Sequence, residues 1–160
     1  FWALGGNFWI GVTDLIEDIQ DSVEIGIHPG IRSSNSFEDM KVEFDHFEKN
    51  MGYAPIISRQ HYLVFQLPET FRDLERLGVT EDSSIYYADC PGFRSGICYS
   101  YPVFDFLSRK TLKVREAPLI FMEGSLVQYR NTKDDNSIIG LIREVKGIEE
   151  TLFGYGIIVA

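Results

Sequence analysis

Basic residues are scarce in this 160-residue chain: 15 Lys and Arg stand against 24 Asp and Glu, a net charge of −9. Such a balance repels phosphate backbones and anionic lipid surfaces, which argues against nucleic-acid binding and against membrane-surface binding. Long apolar runs are lacking too. None approaches the ~20 residues that a helical membrane span requires. Cysteine is limited to Cys90 and Cys98, whose spacing fits neither a zinc knuckle nor a redox pair. A disulfide is one reading of them. Two reduced, buried or half-buried thiols in a cytoplasmic protein is the favoured one.

A basic leader is also missing. The start, Phe1-Trp2-Ala3-Leu4-Gly5-Gly6, has neither a charged n-region nor an initiator Met. It reads as the interior of a strand, as if the chain began part-way through a larger protein or had been processed or truncated; a natural short start is the alternative. There is no internal repeat, low-complexity tract or linker, so a single domain over residues 1–160 is expected. Its 44% hydrophobic content suffices for a packed core. The aromatics, 12 Phe and 8 Tyr among them, are assigned mostly to that core.

Apolar periodicity alternates between strand and helix. Phe1–Leu4 reads as a strand, and Val12, Leu15, Ile16 and Ile19 recur at helical spacing. Val23–His28 reads as a strand broken by Pro29-Gly30. Ser36 has the chemistry of a helix N-cap, Met40, Phe44, Phe47 and Met51 form an apolar stripe, and Gly52 supplies a stop. Pro55–Ser58 starts the next strand. A short helix follows from Pro68 to Leu77, ended by Gly78. Ser83–Tyr87 is expected as a strand, then a long loop containing Gly92, Gly96 and Pro102, then an extended Leu112–Phe121. A helix from Asn136 or Ser137 to about Lys146 and a last strand in Thr151–Ala160 complete the reading. This order implies mostly parallel strands joined by helical crossovers, in an open sheet or a barrel. At 160 residues the chain is short for a full eight-fold barrel, which takes about 250.

Ligands of parallel α/β folds bind at the carboxyl ends of the strands. His28 ends one expected strand. It is read either as a metal-ligating imidazole or as a histidine bonded to a loop carbonyl. Arg59, His61 and Tyr62 follow another strand end. Arg59 can orient a carboxylate, His61 can ligate a metal or move a proton, and Tyr62 can donate to an oxyanion; a solvated strand-end cluster is the alternative. Asp82 is expected to open a strand. Gly92-Phe93-Arg94-Ser95-Gly96 is a glycine-flanked loop that lacks the Gly-Lys-Ser/Thr of a phosphate loop. Its Arg94 is read as a partner of Asp82 or Asp89, or as a structural loop arginine.

Four segments in order carry a resemblance: Glu24-Ile25-Gly26-Ile27-His28-Pro29, Ser58-Arg59-Gln60-His61-Tyr62-Leu63, Gly92-Phe93-Arg94-Ser95-Gly96-Ile97-Cys98 and Pro118-Leu119-Ile120-Phe121-Met122-Glu123. Together, from Val23 to Leu126, the chain resembles the polysaccharide deacetylase-like (NodB-homology) family, in the branch found in bacterial surface-polysaccharide gene clusters. The resemblance implies a distorted or partial (β/α) barrel lacking its first strand, and hydrolysis of acetyl groups on a bacterial glycan with the help of a divalent metal, usually zinc. A non-catalytic glycan- or protein-binding barrel is the alternative. By position, His28 matches a metal histidine, and His61 is a possible replacement ligand. Arg59 matches the arginine that orients the base, and Tyr62 matches the residue whose backbone supports the oxyanion. Asp82 and Arg94 fall in the region that supports the base, and Tyr62 and Phe93 are the expected substrate contacts. The pattern departs in three places. No Asp-Asp segment precedes Phe1, Arg32 stands where a second histidine is expected, and Thr151–Ala160 holds no late histidine. A barrel short of a strand exposes an unpaired edge, so self-association, or a helix covering that edge, is expected as well.

Overall fold

The computed structural model describes residues 2–4, 24–90, 92–119 and 122, together with the helical positions 136, 139, 140, 143 and 147. The chain divides into two compact units, Phe1–Ser84 with Tyr101–Ala117, and Ile85–Ser100 with Pro118–Ala160.

The first unit holds the sheet. Its strands are β1 (Trp2–Leu4), β2 (Gly26–His28), β3 (Ile57–Ser58), β4 (Glu81–Asp82), β5 (Tyr101–Asp105) and β6 (Lys110–Glu116). They lie in the order β1-β2-β3-β4-β6-β5. Every neighbouring pair is parallel except the β5–β6 hairpin. The mixed α/β class with a mostly parallel sheet is therefore as the sequence implies.

Helix α1 (Phe37–Met51) crosses from β2 to β3. Ser36 Oγ accepts from the Asp39 amide at 3.1 Å and caps the helix. At the other end Gly52 adopts φ 77°, and its N–H bonds the Glu48 carbonyl at 2.8 Å. An L side chain is strained in that conformation, which is why glycine stops the helix there. Of the expected stripe, Met40, Phe44 and Phe47 are buried, and Met51 at the frayed end is half-buried. Helix α2 (Glu69–Arg76) joins β3 to β4, burying Phe71 and Leu74 while Gly78 turns the chain at φ 85°. Ile25 and Ile27 of the β2 segment, with Val79 before β4, add to this core.

Strand β6 alternates strictly. Leu112, Val114 and Glu116 are buried, whereas Thr111, Lys113 and Arg115 face outward. Edge strand β5 contains Pro102 and a register irregularity between Pro102 and Phe104. Pro102, expected in a loop, lies instead in this strand, because an edge strand tolerates its missing N–H. Asp105 begins the hairpin turn, accepting from the Leu107 and Ser108 amides at 2.9 and 3.0 Å and from Arg72 of α2 at 2.7 Å.

Two expectations need correction. The strand expected at Ser83–Tyr87 lies earlier, at Glu81–Asp82, because only those residues find partners, Ile57 and Ser58, on β3. Asp82 therefore closes a strand and does not open one. The extended segment expected over Leu112–Phe121 is β6, which ends at Glu116. In the second unit Asn136, Ile139, Gly140, Arg143 and Gly147 are helical, in keeping with the expected late helix. The helix expected around Val12–Ile19 and the strand expected over Thr151–Ala160 lie outside the described residues.

Candidate functional site

Short parallel strands that end in register place their last residues in a row. Ser58 pairs with Asp82, and Asp82 with Glu116; His28 lies one residue beyond Ile27, the partner of Ser58. Four polar side chains thus occupy the carboxyl ends of β2, β3, β4 and β6.

Asp82 is fully buried. Its Oδ2 accepts from Ser58 Oγ at 2.5 Å and its Oδ1 from the Ser84 amide at 3.0 Å. Burial dominates these bonds and pushes the carboxyl up to about 6, so it holds its proton well above the usual carboxylate range. Glu116, its neighbour in register on β6, is equally buried. Sequence reasoning missed Glu116. The signal was present in the alternation Leu112-Lys113-Val114-Arg115-Glu116, which assigns the carboxylate to the inward face. Gln60 was missed as well. It is 1% exposed, and its Nε2 has no hydrogen-bond partner among the described residues.

The histidines meet. His28 Nδ1 lies 2.7 Å from the Arg59 carbonyl, and His28 Nε2 lies 3.0 Å from His61 Nδ1. A carbonyl only accepts, so Nδ1 of His28 carries hydrogen. Burial pushes His28 below its ordinary range, against the raising effect of the Arg59 carbonyl, which keeps the ring neutral. Its Nε2 is then an acceptor, and the hydrogen of the second bond sits on His61 Nδ1. The other nitrogen of His61, Nε2, has no hydrogen-bond partner among the described residues. Of the two readings of His28, the bond to a loop carbonyl is the one observed, and its second nitrogen meets His61.

Tyr62 completes the group. Its ring lies 4.4 Å from that of His61, which in turn lies 4.9 Å from His28, both edge-on. Tyr62 is 79% exposed. The backbone that presents it is unusual, since Tyr62 and Leu63 both adopt left-handed φ, 52° and 55°. Each such residue costs about 1–2 kcal/mol without glycine, and bonds from Leu63 N to Gln60 O at 3.0 Å and Val64 N to His61 O at 3.1 Å hold the turn. Strain of this kind concentrates where a side chain must be aimed.

The remaining candidates divide. Arg59 belongs to the cluster: its Nε donates to Ser83 Oγ at 3.0 Å, and its charge acts on Asp82. Arg94 and Phe93 belong to the second unit, where Arg94 Nη1 donates to the Tyr86 carbonyl at 3.1 Å. Arg32, where the family pattern has histidine, is exposed in the 3-10 turn Ile31–Asn35. The loop after His28 is clamped by Glu43 of α1, which accepts from the Gly30 amide at 2.7 Å and from Ser33 Oγ at 2.6 Å. Neither Cys90 nor Cys98 takes part in a disulfide; Cys98 is buried and Cys90 half-buried.

The donor set tests the expected divalent ion. In a tetrahedral zinc site, nitrogens at ~2.0–2.1 Å from the metal stand about 3.3 Å apart. The pair His28 Nε2 and His61 Nδ1, at 3.0 Å, approaches that spacing, but its nitrogens already share a hydrogen. No group of three or more His, Cys, Asp or Glu suited to a metal occurs among the described residues. Two imidazoles fall short of the three protein donors zinc normally takes, so the described residues alone do not fit the ion.

No helix among the described residues is long and apolar enough to cross a membrane. No family model and no curated protein matches the chain. Among solved structures, it is similar to a GH57 branching enzyme from the hyperthermophilic archaeon Thermococcus kodakaraensis, solved in complex with glucose and additives, at 13% identity and a TM-score of 0.58. The match covers 96% of this chain and 43% of that enzyme. At this identity the likeness is one of fold alone, so the chain shares an α/β architecture with part of a carbohydrate-active enzyme.

Proposed function

We propose that this chain is a polysaccharide deacetylase-like domain, part of a distorted (β/α) barrel, whose cluster of polar strand-end residues takes up an acetylated glycan. The observation that carries the reading is the gathering of His28, Arg59, His61 and Tyr62, through contacts of 2.7 to 4.4 Å, at the carboxyl ends of parallel strands. Those are the positions that match the family's motifs. The fold likeness to part of a GH57 branching enzyme supports the α/β architecture alone.

Glycan uptake is the part of the activity that the described residues support most directly. An exposed aromatic ring beside hydrogen-bonding groups suits a sugar. Hydrolysis of the acetyl group is the further part, and Asp82 favours it. A buried carboxyl raised to about 6, beside an arginine, can exchange a proton near neutral pH. No step is assigned to a metal, since the described donors stop at two imidazoles.

The test is incubation with an acetylated amino-sugar oligomer, following both binding and free acetate, with and without a chelator. Binding that survives chelator is the expected outcome. Acetate release that needs added zinc would extend the reading to the full metal-dependent reaction, with donors beyond those described. Absence of both binding and acetate would overturn the reading.

A further inference from the structure

The turn of the β5–β6 hairpin keeps large apolar side chains out of the core. Phe104, Phe106 and Leu107 are 56%, 54% and 60% exposed, and residues 106–111 are exposed without a break. The turn is nevertheless firmly built. The buried Asp105 carboxylate accepts from the Leu107 and Ser108 amides, from Ser108 Oγ at 2.6 Å and from Arg72. These bonds fix the backbone that carries Phe106 and Leu107. The charge of the element is opposite to that of the chain. Between Tyr101 and Arg115 stand four cations, Arg109, Lys110, Lys113 and Arg115, and one acid, Asp105, which is paired with Arg72. Arg109 and Lys110 follow the apolar pair after one serine; both are exposed and have no ion-pair partner among the described residues. Glu75 of α2 reaches this hairpin too, where its carboxylate is bonded to the Lys113 amide at 2.6 Å.

We infer that this turn docks on an anionic lipid surface: Phe106 and Leu107 enter the headgroup layer while Arg109 and Lys110 meet its negative groups. The occupant follows from size and charge. A protein partner normally covers about 800 Å² on each side, whereas three half-exposed side chains at a hairpin turn present roughly 300 Å². A fluid headgroup layer takes up so small an apolar surface without a matching groove, and cations beside it supply the second anchor that stable attachment needs. A second copy meeting the same patch across a two-fold axis would bring like charges together. Strand addition along β5 is blunted by Pro102, which lacks an N–H, and by the irregular register. The net charge of −9 opposes approach at long range. At physiological salt, however, charges beyond about 8 Å are screened, and the cations of the turn itself decide. The turn and Glu116 lie at opposite ends of β6, about 20 Å apart along the strand. Docking at one end does not cover the strand-end cluster at the other, and it stands apart from the glycan reading.

The test is co-sedimentation of the whole chain with vesicles of phosphatidylcholine alone and of phosphatidylcholine with about one-third phosphatidylserine. The mixed vesicles are expected to bind the chain, and phosphatidylcholine alone to bind it at least about tenfold more weakly. Salt raised to about 0.5 M should weaken the mixed-vesicle binding. The double variant Arg109→Asn/Lys110→Gln should lose at least about tenfold in affinity for mixed vesicles. Asparagine is chosen because it tolerates the left-handed φ of 55° at Arg109. Phe106→Ser/Leu107→Ser should lose about tenfold as well. All four positions are exposed, so unfolding midpoints should stay where they are in the unaltered protein. The fluorescence added by Phe106→Trp should shift to the blue on mixed vesicles, whereas that added by Val42→Trp, on the exposed face of α1, should not. Absence of binding to mixed vesicles, binding indifferent to both double variants, or no blue shift at position 106 would each overturn the inference. So would a dimer in sedimentation velocity, in place of vesicle binding, that Phe106→Ser/Leu107→Ser dissolves: the turn would then belong to an interface between copies.

Discussion

Burial of one carboxyl group has a thermodynamic signature. Asp82 is raised from 3.8 to about 6 in the folded chain, so between those values the native state holds a proton that the unfolded state has lost. Its contribution is fully present below about pH 4 and disappears as pH rises through about 6. The linked loss is on the order of 3 kcal/mol. Urea unfolding midpoints measured from pH 4 to 7 should therefore fall across this window more steeply in the unaltered protein than in Asp82→Asn, in which the titration is absent. Parallel profiles for the two would mean that Asp82 is ionised in the fold throughout. At this scale the site was only half legible. His28, Arg59, His61 and Tyr62 are polar residues next to apolar strand signals, and so they stand out in a sequence. Glu116, Gln60 and Glu43 do not: a polar side chain drawn in from solvent looks like any solvated one until its neighbours in the fold are known.

Elements differ in how locally they are encoded. Helix α1 carries its own instructions: Ser36 at the cap, a stripe at helical spacing, and Gly52 in the left-handed stop. Each can be tested alone. Ser36→Ala should cost about 1 kcal/mol through loss of the bond to the Asp39 amide. Gly52→Ala should cost about 1–2 kcal/mol, all of it conformational, because a Cβ there meets nothing within 4 Å. Denaturant unfolding of both single variants and of the double variant checks the sum; the sites lie at opposite ends of the helix, so the costs should add. A double variant much less stable than the sum would tie the two ends together. Strands β3 and β4, two residues each, carry no such instructions. Their existence depends on the partners beside them. The apolar Ile85-Tyr86-Tyr87 drew the expected strand toward itself, whereas the observed pairing stops at Asp82. Pro102 likewise reads as a breaker unless its strand is known to lie at an edge.

For the whole molecule, the sheet predicts where structure persists longest. β6 is the longest described strand and is paired on both flanks, with β4 and with β5. Hydrogen exchange should leave the amides of Lys113–Glu116 among the slowest. The loop Tyr87–Asp89, exposed and outside any strand or helix, should exchange early. Equal protection in the two segments would contradict the assignment of the sheet as the stable body of its unit. The α/β class was legible because alternating periods survive even when strand limits are misplaced. The pairing order, with β6 inserted between β4 and β5, was not: it depends on contacts between residues about thirty positions apart, such as Asp82 and Glu116.

The Glu43 carboxylate holds the Gly30 amide and the Ser33 hydroxyl together, and a Cβ placed at Gly30 would stand 3.0 Å from one of its oxygens. Helix α1 is in this way yoked to the peptide immediately downstream of His28. Sliding or tilting that helix would pull on the Pro29-Gly30 turn, so substitutions along α1, far from the strand ends, reach the His28 imidazole through its own backbone.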